Sequence, residues 1–128
     1  MKFELKEDLA VPIDAVFAEV TDFSSFERSI LRRGADVERL DKGQGYGIGS
    51  TWKLSFPFRG KEREARSEIV FFDAPNSYRA DSVSSGIDVA SVVDLVALSR
   101  SRTRLSVTVE MTAKTLSARL LLQSMKLN

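Results

Sequence analysis

The sequence predicts an α+β fold in which seven antiparallel strands form one curved sheet, two short helices follow the first strand and a third helix closes the chain. Residues 13–31 carry apolar side chains at helical spacing, whereas most of residues 35–111 alternate between apolar and polar side chains with the period of a strand. Residues 115–128 contain no glycine, proline or acidic residue and are predicted to be helical. Short turns separate the predicted strands, so we expect an antiparallel meander.

The length and composition indicate a single domain that spans residues 1–128. The chain has 128 residues, 43% of them hydrophobic, and its eight phenylalanines can supply a substantial core. The 19 basic and 18 acidic residues nearly balance, so electrostatic attraction to nucleic acid is not predicted. The basic residues are concentrated late in the chain, where residues 99–128 hold six of them against Glu110 alone.

The absence of cysteine and histidine excludes several classes of site. Without cysteine the chain has no disulfide and no thiol chemistry. Without histidine it has no Ser-His-Asp triad and no histidine-based zinc site. The acidic residues do not have the spacing of a calcium loop, so we predict neither a metal nor a cofactor. The charged first eight residues, and the lack of an apolar run of ~18 residues, predict a cytoplasmic protein.

The first strand and the first helix are separated by a proline. Residues 2–11 alternate, with Phe3 and Leu5 on the apolar face, and are predicted to form a half-buried strand. Pro12 ends this strand, and proline is favoured in the first turn of a helix. Residues 13–20 then follow with the apolar spacing of a short amphipathic helix.

A second helix follows directly, and Asp22 is predicted to cap it. Its apolar stripe consists of four side chains at helical spacing, Phe23, Phe26, Ile30 and Leu31. Gly34 is predicted to end this helix, because glycine readily adopts the left-handed conformation of a helix C-terminus. Residues 35–41 form a weakly patterned strand that leads into a glycine-rich segment.

The glycine-rich segment places glycine at every second position, at Gly43, Gly45, Gly47 and Gly49. A phosphate-binding loop should follow a strand, open a helix and carry a lysine, whereas this segment precedes a strand and lacks lysine at the required position. We therefore predict a wide hairpin loop over the mouth of the curved sheet rather than a nucleotide site.

Five further strands are predicted after the glycine-rich segment. They cover residues 50–58, 62–72, 77–85, 87–98 and 105–111, and short turns join them. In the first of these strands the apolar side chains share one face, which carries Trp52, Leu54, Phe56 and Phe58.

The C-terminal helix is predicted to have two apolar faces. At ~100° per residue, Leu116, Leu120 and Leu127 lie on one side, and Ala118, Leu121, Leu122 and Met125 lie roughly opposite. Two apolar faces require two apolar neighbours, and we expect the sheet to be one of them. The segment ends without a recognisable cap, so we expect the native helix to continue further.

The order of the elements resembles the helix-grip fold of the START, Bet v 1 and polyketide-cyclase superfamily (SRPBCC). The residues that carry this resemblance are segments 11–17, 20–23 and 49–52, which are Val-Pro-Ile-Asp-Ala-Val-Phe, Val-Thr-Asp-Phe and Gly-Ser-Thr-Trp. The resemblance implies a curved sheet that wraps the last helix and leaves a cavity for lipids, quinones or polyketides. The superfamily also includes enzymes and activators of a heat-shock ATPase. Its cyclase and hydroxylase-component members generally use polar or metal-ligating groups in the cavity, including histidines, and this chain has no histidine.

The main hypothesis from this resemblance is that the protein binds a hydrophobic small molecule between the sheet and the last helix. Its cavity wall would be formed by inward-facing side chains, namely Trp52, Leu54, Phe56, Ile69, Phe71, Val89, Val93, Val107, Val109, Leu116 and Leu120. Three aromatic side chains would guard the entrance, namely Phe23, Phe26 and Tyr46. For each of these residues, the alternative role is packing in the core.

Two other hypotheses are kept open. An enzyme of the cyclase or dehydratase type would use a carboxylate and an enolate-stabilising group, with Asp88, Asp94, Tyr78 and Arg66 as candidates. Alternation places both aspartates outside the cavity, which argues against catalysis. The third hypothesis is a module that contacts a protein, a membrane or a second copy through the basic C-terminal helix and its apolar side chains Leu121, Leu122 and Met125.

Overall fold

The computed structural model describes residues 1–43 and 45–126. The elements are, in chain order, β1 (Lys2–Leu9), α1 (Ile13–Val20), α2 (Phe23–Arg32), β2 (Asp36–Arg39), β3 (Thr51–Phe58), β4 (Lys61–Asp73), β5 (Ser77–Ser84), β6 (Ile87–Ser99), β7 (Arg102–Ala113) and α3 (Leu116–Lys126). The seven strands and three helices occur in the predicted order.

All strand pairs are antiparallel, and the sheet order is β1-β7-β6-β5-β4-β3-β2. The two helices after β1 carry the chain across the sheet, so β1 and β2 form its opposite edges. This arrangement confirms the predicted helix-grip α+β fold. None of the three helices that the structure describes is long and apolar enough to cross a membrane.

The starts of α1 and α2 follow from their first residues. The Pro12 carbonyl accepts the first helical hydrogen bond, from the Val16 N–H at 3.1 Å. Asp22 accepts hydrogen bonds from the Ser25 N–H at 3.2 Å and the Ser25 hydroxyl at 2.7 Å. The predicted cap is therefore present, and it satisfies an N–H that the helix itself cannot.

The main core lies between the inner face of the sheet and helices α1 and α2. Its buried members are Val16, Phe17, Phe23, Trp52, Ile69, Tyr78, Val93 and Leu95. Thr103 is fully buried beside this core, and its hydroxyl donates a hydrogen bond to the Val11 carbonyl at 2.8 Å. This bond joins β7 to the segment between β1 and α1, 92 residues earlier in the chain.

One predicted cavity residue, Phe71, lies on the other face of the sheet because β4 contains a β-bulge. Ile69 pairs with Ala80, but Phe71 pairs with Arg79, so the register shifts by one residue between them. Such a shift moves each following side chain to the opposite face. Phe71 therefore lies on the outer face and is 50% exposed. Its neighbour Phe72 points inwards instead, with its ring centroid 5.5 Å from that of Phe17.

Two more predicted cavity residues, Leu116 and Leu120, lie on the exposed face of α3 and not against the sheet. Ala118 and Leu122 are buried against Ile87, and Met125 packs beside them. The opposite face of the helix points away from the sheet, and Leu116 and Leu120 there are 71% and 59% exposed.

The small side chain of Ala118 explains this orientation, because it lets the helix approach the β5–β6 turn closely. The face predicted to contact a membrane or a second copy, with Leu121, Leu122 and Met125, is thus the one that packs on the sheet. Leu127 lies outside the described residues.

Candidate ligand-binding pocket

An apolar pocket of about 160 Å³ lies between α2 and strands β2, β3 and β4. Apolar side chains form most of its wall, and two polar residues complete it. The lining residues are Phe23, Phe26, Glu27, Ile30, Val37, Trp52, Leu54 and Ser67. Four of them, Phe23, Phe26, Trp52 and Leu54, were predicted from the sequence.

Helix α2 supplies one wall because its apolar side chains recur at helical spacing. Phe23 is buried in the core, whereas Phe26 is half exposed at the rim and Ile30 lies one turn further on. Residues three or four positions apart lie on one face of a helix. The three side chains and Glu27 therefore face the same side, towards β3.

Strands β3 and β4 supply the facing wall. Trp52 and Leu54 alternate onto the inner face, and their partners on β4 are Ser67 and Ala65. Of these two small side chains, Ser67 lines the pocket. The Ser67 hydroxyl is 2.6 Å from the Ser82 hydroxyl of β5, so the polar group at this wall already has a hydrogen-bond partner.

Aromatic rings surround Phe23 and define the rim. Its ring centroid lies 5.4 Å from Trp52, 5.6 Å from Tyr46, 5.9 Å from Phe26 and 5.5 Å from Tyr78. Tyr46, on the glycine-rich loop, lies nearly parallel to Trp52, with an angle of 11° between the rings. These separations are those of favourable aromatic pairs, so the rings pack closely along one edge of the pocket.

Glu27 connects the two aromatic residues through its carboxylate. Its Oε1 accepts a hydrogen bond from the Tyr46 hydroxyl at 2.9 Å, and its Oε2 accepts one from the Trp52 indole N–H at 2.7 Å. Sequence reasoning missed this residue. Its signal was its position inside the apolar stripe of α2, where a carboxylate is unusual unless it has partners.

The base of the glycine-rich loop is held by an ion pair. The Arg39 guanidinium donates to Asp41 at 2.9 and 2.8 Å and lies 4.3 Å from the centroid of the Tyr46 ring. The hydrogen bond from Arg39, followed by that from the Thr51 N–H, holds the pKa of Asp41 well below its usual range. Arg39 also donates to the Gly45 carbonyl. The loop joins β2 to β3, as predicted, and its contacts keep Tyr46 over the rim.

The other predicted wall residues lie away from the pocket. Ile69 and Val93 are buried in the main core, and Val107 packs against it. Val89 belongs to the smaller core beneath α3. Phe56 and Val109 are half-buried on the rest of the inner face. The structure therefore gathers five of the predicted residues, Phe23, Phe26, Tyr46, Trp52 and Leu54, at one end of the inner face.

The four candidate residues of the cyclase or dehydratase hypothesis do not line the pocket. Asp88 pairs with Lys114 at 3.1 Å and Asp94 accepts from the Ser77 hydroxyl at 2.7 Å, and Arg66 is exposed. Tyr78 does point inwards, but its hydroxyl donates to the Val20 carbonyl at 2.9 Å, and burial raises its pKa. Asp88, Asp94 and Tyr78 are thus each held by another group of the protein outside the pocket.

Several solved structures are similar to this chain over most of its length. The structure of Ara h 8.0201 has a TM-score of 0.67 and 16% identity, and the match covers 98% of this chain and 89% of that one. The Zhui aromatase/cyclase from Streptomyces sp. R1128 has a TM-score of 0.70 and 18% identity, with coverage of 97% and 82%.

Norcoclaurine synthase from Thalictrum flavum, solved in complex with dopamine and hydroxybenzaldehyde, has a TM-score of 0.69 and 13% identity, with coverage of 98% and 76%. No protein-family model matches this chain, and no curated protein sequence matches it. At these identities the similarity establishes the Bet v 1-like helix-grip fold, in agreement with the resemblance found in the sequence.

Proposed function

We propose that the protein binds a hydrophobic small molecule and holds a single apolar ring of that molecule in the pocket beneath α2. The observation that carries this proposal is the wall itself, which is apolar apart from Glu27 and Ser67, both of which have hydrogen-bond partners. An apolar cavity of about 150 Å³ lined by Leu, Ile and Phe takes up benzene. A pocket of about 160 Å³ is therefore of the size that accepts one aromatic ring.

A longer ligand has further apolar surface beyond the pocket. Helix α3 packs over one end of the inner face. Next to it, Ser91, Val109 and Phe3 lie in one row across β6, β7 and β1, in which Ser91 and Val109 are half-buried. Phe3 and Leu5 at its edge are each 51% exposed. We propose that the ring enters the pocket and that an apolar tail lies along this row towards β1.

The comparisons support a ligand of this kind. Dopamine and hydroxybenzaldehyde, which are present in the norcoclaurine synthase complex, each contain a single aromatic ring. The same fold in that protein thus accommodates single-ring molecules. The carboxylate of Glu27 is held by two donors of the protein, so its role here is to position Tyr46 and Trp52 around the ring.

The test uses the fluorescence of Trp52, which is the only tryptophan in the chain and lies in the pocket wall. We expect toluene to change this emission saturably. Val37→Phe adds a ring inside the pocket and should weaken toluene binding by about tenfold or more. Val83→Phe makes the same change at an exposed position and should leave binding unchanged.

Native mass spectrometry of gently purified protein, followed by organic extraction, should identify a bound apolar molecule that Val37→Phe excludes. The proposal is wrong if toluene leaves the Trp52 emission unchanged, or if both variants bind it equally.

A second candidate function is peripheral contact with an anionic membrane through α3. The observation in its favour is the outward face of this helix, where exposed Leu116 and Leu120 lie beside Arg119, with Lys126 in the last turn. Apolar side chains flanked by cations suit the surface of an anionic bilayer.

We expect co-sedimentation with vesicles that contain phosphatidylserine at low salt, and loss of binding in Leu120→Glu. Val83→Glu is the control, because Val83 on the outer face of β5 is 51% exposed, close to the 59% of Leu120. Failure of the unmodified protein to sediment would exclude this function.

A further inference from the structure

The edge strand β1 has one open side, and its hydrogen-bonding direction can be read from Met1, the residue that precedes it. The Met1 amino group donates to the Met111 carbonyl at 3.0 Å, and the Met111 N–H donates to the Met1 carbonyl at 2.8 Å. In an antiparallel pair such residues alternate along the strand. Odd-numbered residues of β1 therefore bond to β7, and the N–H and C=O groups of Lys2, Glu4, Lys6 and Asp8 point outwards. Within residues 1–43 and 45–126, β7 is the only strand that pairs with β1.

The side chains of the same four residues form a charge pattern that is complementary to itself. Lys2, Glu4, Lys6 and Asp8 alternate with inward-facing residues and lie on the outer face of the sheet. If a second copy of β1 runs antiparallel with Leu5 opposite Leu5, Lys2 faces Asp8 and Glu4 faces Lys6. All four outer-face pairs across the junction are then of opposite charge, which stabilises cross-strand pairing.

We propose that two copies of this chain associate through β1 in this register, in a twofold-symmetric pair. The outward backbone groups belong to even-numbered residues, and this register places even residues opposite even residues. Each such pair can exchange two backbone hydrogen bonds. The open edge and the charge pattern thus specify the same alignment.

Neighbouring registers are disfavoured by like charges. A shift by two residues in one direction places Glu4 opposite Glu4 and Lys2 opposite Lys6. The opposite shift places Lys6 opposite Lys6 and Glu4 opposite Asp8. Shifts by one residue misalign the backbone groups and put outer-face residues opposite inner-face ones. Shifts by four residues avoid like charges but retain only two of the four outer-face pairs, Lys2 with Glu4 or Lys6 with Asp8. Charges on an edge strand commonly prevent unspecific pairing, and here only the proposed register has four pairs of opposite charge.

The surroundings of β1 are compatible with this pairing. On β7 the partners of Glu4 and Lys6 are the neutral residues Thr108 and Ser106. Glu4 also pairs with Lys2 of its own strand at 3.3 Å, but both side chains are exposed, so a second copy can exchange this pair for pairs across the junction. Arg104 of β7 binds the Asp8 carboxylate at 2.8 and 3.1 Å, so Lys2 of a second copy would meet Asp8 as a member of this pair.

On the inner face, the half-exposed Leu5 would pack on its symmetry mate and Phe3 would lie opposite Glu7 of that copy. Opposed residues of paired strands share a face. The inner faces of the two copies would therefore lie on the same side of one continuous sheet.

The test is sedimentation-velocity analysis over a range of protein concentrations. We expect the unmodified chain to form a dimer as concentration rises. Glu4→Lys and Lys6→Glu each create two like-charged pairs and should weaken dimerisation by about tenfold or more. The double variant Glu4→Lys/Lys6→Glu restores complementary pairs and should dimerise again. An equimolar mixture of the two single variants should form a mixed dimer, since each supplies the charge that the other needs.

Hydrogen exchange identifies the surface directly. The outward amides of Glu4, Lys6 and Asp8 should exchange more slowly as the dimer forms, whereas those of Leu5 and Glu7 bond to β7 in both states and should not change. A chain that stays monomeric at the highest attainable concentration overturns the proposal. A dimer that Lys6→Glu leaves unchanged also overturns it, because that dimer uses another surface.

Discussion

Gly86→Ala is expected to lower the free energy of unfolding by about 2–4 kcal/mol, the sum of a backbone cost and a steric cost. Gly86 has a φ of +77°, which costs alanine about 1–2 kcal/mol. A Cβ at this position would also lie 2.9 Å from the Thr115 hydroxyl oxygen. That oxygen accepts the hydrogen bond from the Ala118 N–H at 3.1 Å that caps α3, so Thr115 cannot move without loss of the cap.

Gly60→Ala is a closely matched control for this change. Gly60 occupies the equivalent position of the β3–β4 turn, with a φ of +74°, and nothing lies within 4 Å of its added Cβ. In both turns the preceding residue, Arg59 or Ser85, also has a positive φ. Gly60→Ala should therefore cost only the backbone term, about 1–2 kcal/mol.

Urea denaturation measures the difference between the two alanine variants. In a Thr115→Ala background the additional cost of Gly86→Ala should disappear, because the side chain that it meets has been removed. Equal losses in Gly60→Ala and Gly86→Ala would show that α3 does not pack closely on this turn.

The same turn illustrates why the fold could be predicted from the sequence while the orientation of α3 could not. Alternation and turn residues are local signals, so each strand from β3 to β7 was recognised from its own residues. The face of α3 that meets the sheet depends instead on the close approach of Ala118 to Gly86, 32 positions earlier in the chain. Both faces of the helix are apolar, so the pattern within the helix could not identify the packed one.

The pocket residues that local patterns indicate were predicted, whereas those that depend on long-range contacts were not. Trp52 and Leu54 follow from alternation in β3, and Phe23 and Phe26 from the helical stripe of α2. Phe71 was assigned to the wrong face because a bulge adds a residue without any change in the apolar character of the strand. Glu27 was missed because its partners, Tyr46 and Trp52, lie 19 and 25 residues away and come together only through the fold.

Glu27→Ala is expected to lower the free energy of unfolding by about 2–4 kcal/mol, because two hydrogen bonds to a carboxylate are lost together. The buried Trp52 indole N–H would be left without its acceptor, which accounts for most of the loss. Glu19→Ala removes a carboxylate from the exposed surface of α1 and should change stability by no more than about 0.5 kcal/mol. Urea denaturation of the two variants gives the comparison.

The titration of Tyr46 separates a specific role of Glu27 from general destabilisation. Loss of solvent around the phenol and then the hydrogen bond to Glu27 raise the pKa of Tyr46. In Glu27→Ala this pKa should fall towards its ordinary value, while that of Tyr78, which burial raises, should stay high. The chain has two tyrosines, so ultraviolet titration can resolve both. An unchanged Tyr46 pKa would mean that Glu27 does not hold this ring, and the rim of the pocket would then be set by the Arg39–Asp41 pair instead.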